Sequence, residues 1–411
     1  MKYCLIGAKL GHSYSAVIHQ KRGYDYILNP IEKDKISSFC KEDYDGFNIT
    51  IPYKKDIMEH LDWISEDAKD IGAVNTVVKR DGKLFGYNTD LGGLKYTLDR
   101  ANITLLNKNV LVLGSGGASV VAVALCKKEK ANKVTVVSRS GEVNYQNVYE
   151  KESDTNVIIN TTPVGMYPNC DDSPISLKEF KKLESVVDVI YNPYRTKLLQ
   201  EARDLSLKFT SGLAMLVEQA LLAEDIWSNT THSESESEDL IAYLSQKTAN
   251  VVLFGMPSCG KSTIGKALAK ELDREFLDTD ELIKQKTGKS PSTIIKESGE
   301  KVFRDIESEV IKSVGILSSK VISLGGGGVL RRENVLALQS NGVLCYVKRP
   351  LELLENTDRP LSMQKGVQKL WKERKDIYES AKDISIDNTK TVTDAVKEII
   401  EKYEIACYKR S

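Results

Sequence analysis

Residues 250–263, which read NVVLFGMPSCGKST, constrain the fold of this chain more than any other stretch. A short apolar run leads into the spacing G-x-x-x-x-G-K-[ST] over Gly255–Ser262, and a helical pattern, TIGKALAKEL, follows at once. A strand, a glycine-rich loop and a helix in this order bring backbone N–H groups to nucleotide phosphates, with the lysine on the terminal phosphates and the hydroxyl on Mg²⁺. A plain structural turn would explain the glycines but not the attached Lys-Ser-Thr. The stretch therefore predicts an α/β domain that binds ATP or GTP.

Composition limits what surrounds this loop. The 411 residues exceed what one hydrophobic core usually serves, so two or three domains are expected. Basic and acidic residues are equal in number, 58 each, which favours neither nucleic acid nor a membrane surface as a partner. The closest cysteines, Cys4 and Cys40, are 36 positions apart, too far for a compact zinc or redox pair. With no apolar run long enough for a signal peptide or a membrane span, a cytoplasmic protein is expected.

One segment divides the chain. Residues 228–239, SNTTHSESESED, contain no apolar side chain and cannot recover their ordering entropy by burial. We therefore predict an acidic, Ser-rich linker at 228–248 between mobile domains, with the phosphate-loop domain at 249–411. Ahead of the linker, strand-like runs alternate with helical ones, which predicts a parallel sheet wrapped by helices. The strand-like runs are VLVLG at 110–114, VTVVS at 134–138, VIINTT at 157–162 and VVDVIYN at 186–192.

A second glycine turn lies in this earlier half. The run NVLVLGSGGASVVAVAL at 109–125 reads as a strand, a glycine turn and a helix start, as in a dinucleotide-binding unit. Its spacing departs from G-x-G-x-x-G, so a plain tight turn remains an alternative. The next strand ends in Ser138, Arg139 and Ser140, where an NAD site usually places an acid on the ribose. Arginine suits a 2′-phosphate, so NADP is favoured over NAD.

Charged residues after the phosphate loop indicate a phosphate acceptor. Alternation in EFLDTDELI would put Asp278 and Asp280 on one face of a strand, one carboxylate for the magnesium shell and one for an acceptor hydroxyl. Arg304, the glycine run LGGGGVL at 324–330, Arg359 and Arg374 follow in that order. Each arginine alone is more often a solvated surface residue, but the ordered set is specific.

From residue 249 onwards the chain resembles shikimate kinase, in GKST, the D-x-D pair, F-R-x-x-E, the glycine run, R-P-L and R-x-x-x-Y. The resemblance implies that Asp280 orients the 3-hydroxyl of shikimate, and that Lys261 and Arg359 stabilise charge on the transferred phosphoryl group. Mg²⁺ would be held by Ser262 and, through water, by Asp278. The implied ATP-binding residues are Ser258, Cys259, Gly260, Lys261, Ser262, Thr263 and Arg359. The implied shikimate-binding residues are Asp280, Arg304, Gly326 and Arg374. The lid around Arg359 is short, and Asn356 stands where relatives often have an adenine-stacking arginine, so weak ATP affinity is expected.

The first part of the chain carries several short polar motifs. They are GHSYS at 11–15, GFNITIPYKK at 46–55, GAVNTV at 72–77, GYNTD at 86–90, NTTPVGM at 160–166, DVIYNP at 188–193 and SGLAMLVEQA at 211–220. Any one of them could be turn chemistry. Together they resemble shikimate dehydrogenase from Tyr3 to about Trp227. The resemblance implies a substrate domain at 1–90, completed by helices at about 210–227, and a Rossmann NADP-binding domain at 91–209.

The same resemblance implies site residues. Lys54 and Asp90 would form the catalytic pair, because the alkoxide left by hydride transfer needs a proton that a lysine can donate. The implied substrate-binding residues are Ser13, Ser15, Thr50, Asn75, Asp90, Tyr191 and Gln219. The implied NADP-binding residues are Gly114, Ser115, Gly116, Gly117, Ala118, Ser138, Arg139, Ser140, Val189 and Gly212.

These observations predict an α/β chain with two activities: NADPH-dependent reduction of 3-dehydroshikimate to shikimate, and phosphorylation of shikimate with ATP and Mg²⁺. Two alternatives remain open. The kinase-like part could be a binding or regulatory module without turnover, and the dehydrogenase could act on quinate. The expected partners are small molecules, and both a monomer and a homodimer fit.

Overall fold

The computed structural model describes residues 1–11, 13–354 and 366–410. They form two compact units, the first made of Met1–Tyr191 and Thr196–Ile241 and the second of Asn192–Arg195 and Ala242–Ser411. Strands alternate with helices throughout, which confirms the α/β prediction. Within the described ranges, no helix combines the length and the apolar character needed to cross a membrane.

The first unit begins with a six-stranded mixed sheet in the order β2-β1-β3-β5-β6-β4. Its strands are β1 Lys2–Gly7, β2 Asp25–Pro30, β3 Gly46–Ile49, β4 Trp63–Ile64, β5 Thr76–Arg80 and β6 Lys83–Tyr87. Its helices are α1 Ser15–Lys21, α2 Ile36–Phe39, α3 Glu66–Ile71 and α4 Asp90–Arg100. The first three strands are parallel, and β5 then runs antiparallel to both β3 and β6. The carboxyl end of β3 and the start of α4 each carry one residue of the predicted catalytic pair.

A five-stranded parallel sheet follows, in the order β11-β10-β9-β7-β8. Its strands are β7 Asn109–Leu113, β8 Lys133–Val137, β9 Val157–Asn160, β10 Ser185–Asp188 and β11 Lys208–Thr210. Its helices are α5 Gly117–Lys128, α6 Val148–Lys151 and α7 Lys197–Asp204, and α8 Leu213–Ser228 then returns to pack against α1 and α4. Alternate residues of β7 enter different cores, Val110 and Val112 on one face and Leu111 and Leu113 on the other. Burial on both faces explains why these strands read as continuous apolar runs.

Ordered structure occupies the segment predicted as a linker. After α8 the chain forms helix α9, Glu234–Thr248, and the division between the compact units falls at Ile241 and Ala242 within it. Glu238 accepts hydrogen bonds from Arg100 at 2.6 and 2.8 Å, and Ser237 donates one to Glu218 at 2.7 Å. The expectation of an unstructured tether here was wrong, because α9 buries Leu240, Ile241 and Leu244 and its polar first turns form ion pairs and hydrogen bonds with α4 and α8.

The second unit contains a five-stranded parallel sheet in the order β13-β14-β12-β15-β16. Its strands are β12 Asn250–Phe254, β13 Glu275–Asp278, β14 Lys320–Ser323, β15 Gly342–Lys348 and β16 Ile384–Asp387. Its helices are α10 Lys261–Glu271, α11 Thr279–Thr287, α12 Pro291–Gly315, α13 Arg332–Asn341, α14 Val367–Ala381 and α15 Val392–Arg410. Strand β12 lies in the middle and is buried along its whole length. The phosphate loop therefore leaves the sheet at its centre, between two neighbouring strands.

Candidate active sites

The predicted catalytic pair of the first unit is formed. Lys54 follows β3 after a short turn, and Asp90 is the first residue of α4. The Nζ atom of Lys54 donates to Oδ2 of Asp90 at 2.6 Å. Lys54 is also fixed through its backbone, since its carbonyl accepts a hydrogen bond from the amide of Val74. The side chains are 24% and 13% exposed, so the ammonium is held in place yet remains accessible to a small molecule.

Asn75 positions the start of α4. Its Oδ1 accepts from the amide of Thr89 at 2.8 Å, and its Nδ2 donates to the Thr89 hydroxyl at 3.0 Å. Thr89 directly precedes Asp90, so this amide fixes the residue that presents the carboxylate. Sequence reasoning assigned Asn75 to the substrate and missed Thr89. The position of Thr89 directly before Asp90 in GYNTD was the available signal.

The other predicted substrate residues lie on three elements. The Ser13 hydroxyl donates to that of Ser15 at 3.1 Å, at the start of α1. Tyr14, between them, places its ring 5.8 Å from that of Tyr191, which follows β10. Burial raises the pKa of Tyr191 to about 12, so its hydroxyl keeps its proton. Thr50 directly follows β3 and donates its amide to the carbonyl of Ile6, and Gln219 lies on α8.

The glycine turn after β7 has two kinds of glycine. Gly114 adopts φ of 104°, and a Cβ there would lie 2.9 Å from the Thr162 side chain, so the tight turn itself requires glycine. A Cβ on Gly116 or Gly117 would meet no described atom within 4 Å. That open space lies at the start of α5, where free backbone N–H groups favour a phosphate. Strand β7 sits between β8 and β9, the switch point at which parallel sheets bind dinucleotides.

Arg139 and Gly212 flank this turn from opposite sides. Arg139 is exposed directly after β8, where a ribose phosphate could reach it. Gly212, just before α8, donates its amide to the carbonyl of Ile190 at 3.0 Å. A Cβ on Gly212 would lie 1.9 Å from the carbonyl oxygen of Val189, so only glycine permits this approach. These contacts favour the backbone around Val189 as part of the lining of a cofactor site.

The phosphate loop of the second unit joins β12 to α10. Lys261 starts α10, is 5% exposed, and its Nζ donates to the carbonyls of Gly255 and Met256 at 3.1 and 2.9 Å. The hydroxyl of Ser262 donates to Oδ2 of Asp278 at 2.8 Å, the pairing that a magnesium shell would use. A cavity of about 320 Å³ covers the loop. Its lining includes Ser258, Gly260, Lys261, Ser262, Thr263, Asp278, Asp280 and Arg349.

Asp278 and Asp280 are not on one strand face as predicted. Strand β13 ends at Asp278, which caps α11 by accepting the amide of Asp280 at 3.0 Å. Because the Asp278 carboxylate caps the first turn of α11, the strand ends at Asp278 and Asp280 lies in the helix. Both carboxylates still line the cavity over the phosphate loop.

A neighbouring cavity of about 290 Å³ brings together the predicted acceptor residues Asp280, Arg304, Gly326 and Arg374. Arg374 donates to the carbonyl of Gly326 at 2.8 Å. Arg304 donates to Glu307 at 2.6 Å and to Glu300 at 3.1 Å. A Cβ on Gly327 would lie 2.0 Å from Nη1 of Arg304, so the glycine run lets the guanidinium reach the cavity.

Glu307 lines this cavity and Tyr378 contacts the lining residue Gly326, and sequence reasoning assigned neither a role. Burial raises the pKa of Glu307, and its Oε1 has no hydrogen-bond partner in the described part of the chain. The Tyr378 hydroxyl donates to the carbonyl of Gly326 at 2.5 Å. The last residue of F-R-x-x-E and the last residue of R-x-x-x-Y were the available signals. The predicted lid residues Arg359 and Asn356 lie outside the described residues.

The fold and sites define a chain of two enzyme-like units, one a Rossmann-type oxidoreductase and the other a phosphate-loop phosphotransferase. Comparison with protein-family models agrees: residues 5–77 match the shikimate dehydrogenase substrate binding domain, and residues 257–404 match shikimate kinase.

Individual relatives of the first unit are also shikimate dehydrogenases. The NADP(+) shikimate dehydrogenase of Clostridium perfringens is 40% identical over 258 residues, covering 57% of this chain and 95% of the relative. The solved structure of shikimate dehydrogenase 1 from Peptoclostridium difficile matches with a TM-score of 0.55 and 34% identity, over 59% of this chain and 98% of that one. The chorismate mutase/shikimate 5-dehydrogenase fusion protein from Clostridium acetobutylicum matches with a TM-score of 0.57 and 36% identity, over 60% of this chain and 97% of that one. The chain belongs to the shikimate dehydrogenase family and carries, in addition, a shikimate kinase domain.

Proposed function

We propose that this chain catalyses two consecutive reactions: reduction of 3-dehydroshikimate to shikimate with NADPH, and phosphorylation of shikimate with ATP and Mg²⁺. The observation that carries the proposal is that one chain holds both the Lys54 and Asp90 ion pair and a phosphate loop beside an acceptor cavity with two buried arginines. The product of the first site would be the acceptor of the second. We further propose domains at 1–90 with 210–227, at 91–209 and at 249–411.

In the first reaction the chain's own residues bind the substrate and move one proton. The Gly114–Ala118 turn and Arg139 would hold NADPH, which would supply hydride for the ketone carbon. Lys54 donates a proton from Nζ to the oxygen as negative charge develops there, and Asp90 keeps the ammonium oriented. Ser13, Ser15, Thr50, Asn75, Tyr191 and Gln219 provide hydroxyl and amide groups for the carboxylate and hydroxyls of the substrate.

In the second reaction the residues position the acceptor and stabilise charge. Arg304 and Arg374 bind the carboxylate of shikimate, and Asp280 accepts the hydrogen of the attacking hydroxyl. Lys261, released from the carbonyls of its own loop, stabilises charge on the transferred phosphoryl group together with Arg359. Mg²⁺, which offsets phosphate charge, would be held by Ser262 and, through water, by Asp278.

A single reaction mixture tests the proposal. The full chain is incubated with 3-dehydroshikimate, NADPH, ATP and Mg²⁺, and shikimate 3-phosphate is measured. Its formation is the expected result. Accumulation of shikimate without ADP release would instead identify the second unit as a binding module.

The choice of dehydrogenase substrate needs a separate measurement. Oxidation rates with shikimate and with quinate, each with NADP⁺ and NAD⁺, are compared at equal concentrations. We expect faster turnover with shikimate and with NADP⁺, because Arg139 stands where an acid would select NAD. Equal rates with both nucleotides would contradict the NADP preference.

A further inference from the structure

Asp188, the last residue of β10, is a completely buried acid to which the proposed mechanism gives no role. Its Oδ1 accepts from the Asn160 side chain at 3.0 Å and from the amide of Ile190 at 3.1 Å. Its Oδ2 accepts from the hydroxyl of Thr196 at 2.6 Å. All three partners are uncharged groups, and they come from β9, from the segment after β10 and from the residue that caps α7.

The contacts of Asp188 extend to residues proposed to bind the cofactor and to residues proposed to bind the substrate. Asn160 accepts at Oδ1 from the amide and hydroxyl of Thr162, whose methyl group would be 2.9 Å from a Cβ on Gly114 in the cofactor turn. On the other side, the bonded Ile190 lies between Val189 and Tyr191. One carboxyl group thus joins the glycine turn to the residues assigned to nicotinamide and substrate.

We infer that Asp188 is a positioning residue of the dehydrogenase, which fixes the Val189–Tyr191 segment against the glycine turn through its hydrogen bond to the amide of Ile190. The inference rests on the proposed function, since it needs Val189 and Tyr191 to contact the ligands. Removing the carboxyl would leave the buried N–H groups of Ile190 and Asn160 without an acceptor, and the segment would shift to satisfy them.

The charge of this carboxyl changes near neutral pH. Burial, opposed by the hydrogen bonds from Thr196, Ile190 and Asn160, raises the pKa of Asp188 to about 7. When protonated, Asp188 can accept at one oxygen and donate to Thr196 from the other, as an asparagine amide could. When ionised, it accepts all three hydrogen bonds with a full charge, which makes them stronger.

The test uses Asp188→Ala and Asp188→Asn in the full chain, with KM and kcat measured per folded molecule. For Asp188→Ala we expect KM for 3-dehydroshikimate to rise about tenfold. For Asp188→Asn at pH 6, we expect this KM to remain near that of the unaltered chain. Glu152→Ala is the matched control. Glu152 is a buried acid in the same sheet region, paired with Lys133 at the amino end of β8, far from the ligands. It should lower stability and leave KM unchanged.

The ratio of KM in Asp188→Asn to KM in the unaltered chain gives a second measurement, which remains usable if Asp188→Ala does not fold. We expect this ratio to rise about threefold from pH 6 to pH 8, as only the natural residue gains a charge. An unchanged KM in folded Asp188→Ala, or a ratio independent of pH, would overturn the inference. Absence of turnover in the unaltered chain would overturn the proposed function itself.

Discussion

Lys54 and Asp90 are 36 positions apart in the chain and 2.6 Å apart in the fold. Their motifs were visible in the sequence, and the family resemblance paired them. The sequence did not show how the pair is held in place. The Asn75 side chain accepts a hydrogen bond from the amide of Thr89, and the carbonyl of Lys54 accepts one from the amide of Val74. The Asn75 contacts come from a side chain that the sequence could have indicated, whereas the bond between Val74 and Lys54 joins backbone groups that every residue has, so no sequence pattern identifies it.

Asp188 should give the stability of the first unit a distinct pH dependence. Its pKa is about 7 in the fold, against an ordinary value of 3.8, so between these values the folded chain holds a proton that the unfolded chain has lost. Its contribution to stability is complete below about pH 4 and declines as pH rises towards 7. We expect the free energy of unfolding of Asp188→Asn, relative to the unaltered chain, to increase from pH 4.5 to pH 7. Denaturant unfolding at both pH values measures the difference, and a constant difference would contradict the assigned pKa.

At the scale of elements, one glycine is expected to be needed for cofactor binding alone, and another for both folding and activity. Gly117→Ala should leave the melting temperature nearly unchanged, because its Cβ meets no described atom within 4 Å, yet raise KM for NADPH about tenfold by entering the phosphate space. Gly212→Ala should reduce both stability and activity, because its Cβ would lie 1.9 Å from the carbonyl oxygen of Val189. Melting curves and NADPH titrations give the readouts. Equal effects of the two substitutions would contradict the assignment.

Helix α9 offers a test of how a segment without early apolar residues becomes ordered. Glu238 binds Arg100 with two hydrogen bonds and accepts another from Tyr96 at 2.8 Å. Both ion-pair side chains are less than one quarter exposed, so Glu238→Gln should destabilise the first unit by about 1 kcal/mol, and less at high salt. Glu234→Gln removes the same charge from an exposed position of the helix and should change little. Equal destabilisation by both variants would point to net charge rather than the ion pair.

At the scale of the whole molecule, each compact unit has its own hydrophobic core and its own site residues. Lys54→Ala should therefore lower dehydrogenase kcat about 10²- to 10⁴-fold and leave ADP release with added shikimate intact. Lys261→Ala should abolish ADP release and leave NADPH oxidation unchanged. Both activities are measured on both variants. Loss of both activities in either one would contradict independent sites.

The sequence by itself determined the class of each unit and predicted the residues of its site. The phosphate loop, the glycine turn and the short polar motifs depend on local backbone geometry and on side-chain chemistry, which neighbouring residues specify. Lys261 and Ser262 were predicted in this way, and the family resemblance added Lys54 and Asp90.

Tertiary structure decided the features that depend on residues distant in the chain. It moved Asp280 from a strand to a helix, ordered α9 through Arg100 and Glu218, and placed Glu307 and Tyr378 beside the acceptor arginines. It also joined Asn160 to Asp188, which are 28 positions apart. The physical reason is the same in each case: a buried polar group must find a partner, and only the folded chain determines which partner is within reach.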